Sequence, residues 1–562
     1  MVFLPLSLYA EGPPYDLSVQ RVEVMQGITL GDSYTFHVAN RPAMVRVFVA
    51  LAGDGSSVPG VNARLRRFVG GVQQDALTAG PVTIQPVTNE GNLSHTFNFN
   101  LPAHWLAPGT AYVVDLDHTG GVPEIDESNN RYPAAGQQSF NFNSMAALNI
   151  VIVPVIYKGY TPPTADLGYL SWIPPKFLPV SQINYSVHSA ITYNGDLSQG
   201  SMWSQLLAQI DNIHYAEDPN GDKLYFGLVD SVAADGCAGG CIAGVGYISS
   251  PGWVVKTSLG FAGFPGSVAG RREASSTFTH EMGHNFGRRH APCGNPGGPD
   301  GSYPYANAVL GQWGYDTADG TLKDPVGYRD YMSYCGPEWT SDYTYYGIAQ
   351  AWGWLNAATS QATAGPSQSL LINGYFGPDG VLKVDPVFTA QAPASGAPSQ
   401  PTHRLELLGA AGQVLAVVPF QLTEVILDST VGEHGQAASF RVLAPAAPGL
   451  AGLRLYQGDA LLYERLATGA APALLASTAA QTPTPEGGLS VSWQLAAGTA
   501  RHDRVRFSPD GGTTWHALAL DTTAPVVDVA PDLLAGAKAP LLEVQASDGL
   551  RSVTRTFALT LP

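Results

Sequence analysis

His280-Glu281-Met282-Gly283-His284-Asn285-Phe286-Gly287-Arg288-Arg289-His290 is the stretch that decides how this chain is read. On a helix, His280 and His284 are four residues apart, so their rings leave one face and can share a metal ion. Glu281 adjoins the first of them, where its carboxylate can reach a metal-bound water without binding the metal. Gly287 can end the helix in a left-handed turn, and the chain beyond it returns with His290. Three protein ligands leave a fourth position for water, which suits a hydrolytic zinc site better than a structural one. A bare HExxH arises by accident on ordinary helices. The longer pattern would arise on the order of 10⁻⁵ to 10⁻⁴ times per chain of this length. The alternative is three solvated histidines at a helix end.

The pattern HExxHxxGxxH resembles the zinc signature of the metzincin metalloendopeptidases, which also carry a methionine turn downstream. Tyr328-Arg329-Asp330-Tyr331-Met332-Ser333-Tyr334-Cys335 supplies such a turn. The resemblance spans roughly residues 147–360. It implies an α/β metzincin-like domain with one catalytic Zn2+ on His280, His284 and His290, and Met332 as an apolar floor beneath them. It further implies Glu281 as general base and then general acid in peptide hydrolysis. Tyr334 stands where some branches place a tyrosine that hydrogen-bonds the transition state; a buried aromatic is the other reading. By the same resemblance, Ala243, Gly244, Val245 and Gly246 form an edge strand that pairs with an extended substrate, a tight bend beside a cysteine loop being the alternative. Ala291 replaces an acidic residue that many relatives carry, and Cys335 matches no well-known branch, so the subfamily stays open.

Composition narrows the setting. At 562 residues the chain is too long for one core. Its 63 glycines and 43 prolines follow no repeat period, which suits β modules joined by turns. A net charge of −17, with no basic run, argues against nucleic-acid binding. No run is apolar and long enough for a transmembrane helix. The four cysteines all follow residue 236; the expected pairs are Cys237–Cys241 and Cys293–Cys335, with a second zinc site as the alternative. Disulfides point to an oxidising, extracellular compartment. With no cysteine before residue 237, latency through a propeptide thiol on zinc is excluded within this chain.

The expected order is a signal remnant or disordered start at 1–12, an Ig-like β-sandwich at 13–145 and the catalytic domain at 146–361. A β-sandwich module at 362–478 and an Ig/fibronectin-like module at 479–562 follow. Alternating strands such as Leu17–Val24 and Met44–Val49 support the first module. Leu148–Val155 reads as a buried strand. Trp203, Leu206, Leu207, Ile210 and Ile213 predict a helix over 201–216, with His214 in the core rather than on a metal. Ile348, Ala349, Trp352 and Leu355 predict a closing helix. The acidic loops at 217–222 and around Asp300 suit either calcium or ordinary turn chemistry. The pattern therefore points to a monomeric, secreted zinc endopeptidase acting on proteins or glycoproteins, with β modules that could bind glycans or cell surfaces. The alternative is an adhesion or carbohydrate-binding protein whose metalloprotease domain is accessory or inert.

Overall fold

Leu148 to Val155 is β-branched or apolar at nearly every position, the pattern of a strand buried on both faces. In the computed structural model it forms β1 (Leu148–Tyr157). The structure describes residues 15–30, 36–53, 55–218, 222–231, 242–250, 254–263, 267–360, 368–376, 380–398, 400–429, 437–474, 479–494 and 502–561. The candidate signal remnant at 1–12 and the Cys237–Cys241 pair lie outside these residues.

β1 runs parallel to β2 (Ile183–Val187) on one side. Helix α1 (Gly200–Glu217) follows, and its Trp203, Leu206, Leu207, Ile210 and Ile213 are all buried, as their spacing predicts. β3 (Lys223–Val229) pairs parallel with the other side of β1. β4 (Ile242–Tyr247) then runs antiparallel to β5 (Thr257–Phe261), which is itself parallel to β3. Helix α2 (Val268–Asn285) carries the histidine motif, and α3 (Asp342–Ser360) closes this part of the chain. His214 is buried, stacked on Tyr225 with ring centroids 4.9 Å apart, and its Nδ1 lies 3.2 Å from Thr257 Oγ1.

The sheet does not end at β4. Three later strands extend it: β6 (Gln368–Phe376), β7 (Thr423–Ser429) and β8 (Ala437–Pro445). β7 pairs antiparallel with β4, β8 with β7, and β6 with β8, giving one 11-stranded sheet that crosses residue 361. Strand accounts for 46% of residues and helix for 15%, so the chain is a mostly β, multidomain protein.

Before β1, two antiparallel sheets share a core that includes Leu17, Val45, Val47, Leu65, Phe97, Phe99 and Tyr112. This module is anchored in its neighbour. Ile28 belongs to the core of the histidine-bearing region. Gly27 O accepts hydrogen bonds from Tyr315 N at 2.8 Å and Trp339 Nε1 at 2.7 Å. Arg41, only 4% exposed, donates to Tyr345 OH at 2.9 Å and to the carbonyls of Pro175 and Lys176 at 3.0 Å. At the far end, two further sheets enclose a core with Val505, Phe507, Leu542 and Val544. Within it, the hairpin formed by 502–508 and 516–522 packs Phe507 inside and lays Arg506 over the Trp515 ring at 4.3 Å.

Arg41→Ala would leave a buried phenol and two carbonyls without their donor. It should lower stability by about 2–4 kcal/mol, read as a fall in the urea midpoint of the whole chain.

Candidate metal centre

Helix α2 begins at Ser267, whose side chain accepts a hydrogen bond from Gly270 N. It ends as the motif requires. Gly287 adopts φ +75°, Gly287 N donates to His284 O at 2.8 Å, and Arg288 N donates to Gly283 O at 2.9 Å. This turn also places the carbonyl of Arg288 2.7 Å from His284 Nδ1. The other two histidines are held alike: His280 Nδ1 lies 2.8 Å from Tyr331 O, and His290 Nδ1 lies 2.6 Å from Gly297 O. A carbonyl can only accept, so each Nδ1 carries the proton. The Nε2 atoms of His280 and His284 are then left with a free lone pair, the form that ligates a metal, while His290 Nε2 faces the Asp428 carboxylate.

The three rings converge, with centroids 4.9 to 5.2 Å apart. The Nε2 atoms of His280 and His284 are buried and have no hydrogen-bond partner. Orphaned buried acceptors of this kind are costly unless something coordinates them. Burial pushes His280 down to about 3. A divalent ion fits these donors. Their type and number match zinc.

A fourth group joins them. Asp428, on β7, reaches into the space between the rings. Its Oδ1 lies 2.8 Å from His290 Nε2 and 3.9 Å from His284 Nε2, and its Oδ2 lies 3.1 Å from His280 Nε2. A tetrahedral ion bonded at about 2.0–2.1 Å separates neighbouring ligand atoms by about 3.3 Å, within the range of these gaps. Burial alone would raise the Asp428 carboxyl, but the imidazoles of His280 and His290 hold it well below the usual carboxylate range. Among the described residues, this is the one group of three or more His, Cys, Asp or Glu whose ligand atoms converge. Asp300 is instead engaged by Tyr343 OH at 2.8 Å and Ser302 N at 2.9 Å. Glu217 takes His188 and Tyr225, and residues 219–221 of the acidic loop after it lie outside the described residues.

Glu281 is fully buried, and neither carboxylate oxygen has a hydrogen-bond partner. Burial, then the facing Asp428 carboxylate, pushes it well above the ordinary range. The glycines of β4 make room for it. A Cβ on Gly244 would sit 2.3 Å from Glu281 Oε1, and one on Gly246 would sit 3.0 Å from Oε2. That close approach is why this strand carries glycine where strands prefer branched residues.

Met332 is fully buried with its sulfur against Gly283, between the first two ligands on α2. Asp330 shapes the turn, its Oδ1 accepting from Met332 N at 2.8 Å and its Oδ2 from Ser341 N at 2.9 Å. The expected Cys293–Cys335 disulfide is present, tying the loop after His290 to this turn. Closing a ring of ~43 residues contributes roughly 4 kcal/mol in the chain-entropy view. Tyr334 packs its ring 4.9 Å from that of His290, and its OH donates to Asp428 Oδ1 at 2.8 Å. The structure thus brings His280, Glu281, His284, His290, Met332, Tyr334, Gly244 and Gly246 together, and adds Asp428 and Asp330.

Residues 249–334 match the profile of the Peptidase M66 family, a family of metallopeptidases. No curated protein matches the chain. Among solved structures, a two-domain fibronectin type III segment from chicken tenascin aligns at 13% identity and TM-score 0.14, covering 35% of this chain and 95% of its own. A Ca2+-stabilised, ice-binding adhesin of an Antarctic bacterium aligns at 12% identity and TM-score 0.15, covering 97% of this chain and 99% of its own. Native alpha-2-macroglobulin of E. coli aligns at 11% identity and TM-score 0.13, covering 97% and 28%. Scores this low carry no argument. The family match does: it marks the region holding the histidines and the methionine turn as that of a metallopeptidase.

Gly244→Ala should force Glu281 or β4 aside and lower stability by about 1–3 kcal/mol. Bound metal per chain should stay at the parent value, because no ligand side chain is altered.

Proposed function

We propose that this chain is a secreted, zinc-dependent endopeptidase of metzincin type that hydrolyses peptide bonds in extracellular proteins or glycoproteins. One observation carries the reading. Three buried imidazoles each set Nδ1 against a backbone carbonyl and turn their Nε2 atoms to a common point, beside a buried carboxylate with no hydrogen-bond partner. Zinc held by His280, His284 and His290 would supply a Lewis acid and bring the pKa of a bound water towards about 7.

The chain's own residues do the rest. Glu281, unsolvated and without a hydrogen-bond donor, takes the proton from the attacking water and returns it to the leaving amine. Tyr334 places its hydroxyl at the rim of the site, where it donates to the developing oxyanion as it now donates to Asp428. Met332 sets the depth of α2 beneath the ligands. Ala243, Gly244, Val245 and Gly246 offer backbone groups to an extended substrate. The Cys293–Cys335 disulfide supports an oxidising compartment, and no helix among the described residues is long and apolar enough to cross a membrane. We assign the catalytic groups to 146–361, whose sheet is completed by strands of the following module, with β modules at 13–145, 362–478 and 479–562 that position the enzyme, as a monomer, on its substrate.

Metal analysis should find one zinc per chain. Casein cleavage should be measured in the parent chain and in Asp428→Ala, because that carboxylate fills the space among the imidazoles. In whichever form cleaves, a chelator should abolish activity. Glu281→Ala should keep the zinc while losing on the order of 10²–10⁴-fold in turnover. Undiminished cleavage by Glu281→Ala would refute the assignment.

A further inference from the structure

The groove that would receive a substrate holds a piece of this chain. β7 lies antiparallel along β4, with Val425 opposite Tyr247, Ile426 opposite Gly246, Leu427 opposite Val245 and Asp428 opposite Gly244. That is how an extended peptide would add to a sheet edge. The strand runs directly past the histidines, and Asp428 is the residue that enters among them. Two neighbours pin it there. Tyr334 OH donates to its Oδ1, and Arg289, immediately before His290, pairs with Glu424.

Thr423, Glu424 and Val425 pair with β8, on the side away from the groove, and Val425 to Ser429 lie along β4 within it.

We infer that Asp428 is the fourth metal ligand of the resting chain and that β7 occupies the groove as a stand-in for substrate, so that the folded protein is latent until this strand is drawn out. The inference rests on the endopeptidase reading above and adds its regulation. Water and a scissile carbonyl would need the place the carboxylate holds, and an incoming peptide would need the edge that β7 covers.

The test uses the full chain loaded with Co2+ in place of zinc, whose visible absorption reports the ligand set. Acetohydroxamate, a small metal chelator, probes whether the fourth position is open. The parent spectrum should differ from that of Asp428→Ala. Acetohydroxamate should bind the variant at least about tenfold more tightly, and casein cleavage by the zinc form should rise on the order of 10–100-fold, as for a site competent only about 1–10% of the time. Asp428→Asn, of nearly equal volume, serves if the alanine variant does not fold. Glu424→Arg should move chelator binding in the same direction, and adding Arg289→Glu should reverse it.

Equal chelator affinity and equal cleavage in parent and Asp428→Ala would overturn latency while leaving the peptidase intact. Chelator binding confined to the Asp428 variants, with no form able to cleave, would sink the peptidase reading and keep the ligand assignment.

Discussion

Three hydrogen bonds, each from an imidazole Nδ1 to a backbone carbonyl, set the geometry on which this site depends. The carbonyls come from three different places: Tyr331 in the methionine turn, Arg288 in the turn after α2, and Gly297 in the loop that follows His290. A ring that could flip or change tautomer would offer its metal-binding lone pair only part of the time. By fixing the proton on Nδ1, the backbone fixes the lone pair on Nε2. Met332, Asp330 and the Cys293–Cys335 bond matter because they keep those carbonyls where the rings need them.

The same logic extends outward. The methionine turn is backed by Tyr331 and Trp339, both packed on Phe177, and Trp339 is tied to Gly27 of the first β module. On the opposite side, Asp211 on α1 accepts from Arg441 on β8 and from Thr257 on β5. The flanking β modules are therefore part of the frame that holds the metal centre, and the sheet is one hydrogen-bonded ladder from β2 to β6.

Much of this was legible in the residues. The i, i+4 histidines, the glycine at the helix end and the apolar period of α1 are local patterns, and local patterns survive folding. Met332 and Tyr334 were legible only through a motif, because nothing in their own neighbourhood says what they face. The glycines of β4 were readable as a site of close approach, but the group approaching them, Glu281, was not named by that pattern. Asp428 was missed altogether. It lies 138 residues beyond His290, in a stretch that reads as an ordinary alternating strand, and only tertiary pairing brings it to the imidazoles. Its one local signal was an acid at the end of the apolar run Val425-Ile426-Leu427, a placement that costs free energy unless a partner waits there. The domain limit at 361 follows composition, and composition does not register a strand that returns to complete an earlier sheet.

That returning strand bears on how the protein can be dissected. A fragment ended near residue 361 would retain every residue of the histidine motif yet contain a different metal centre, with three donors where the whole chain presents four. It would also bare the full length of β4, an unpaired edge rich in glycine and prone to recruit other chains. Turnover measured on such a fragment would describe an exposed three-imidazole site, and its solubility would reflect the missing cover more than any property of the intact molecule.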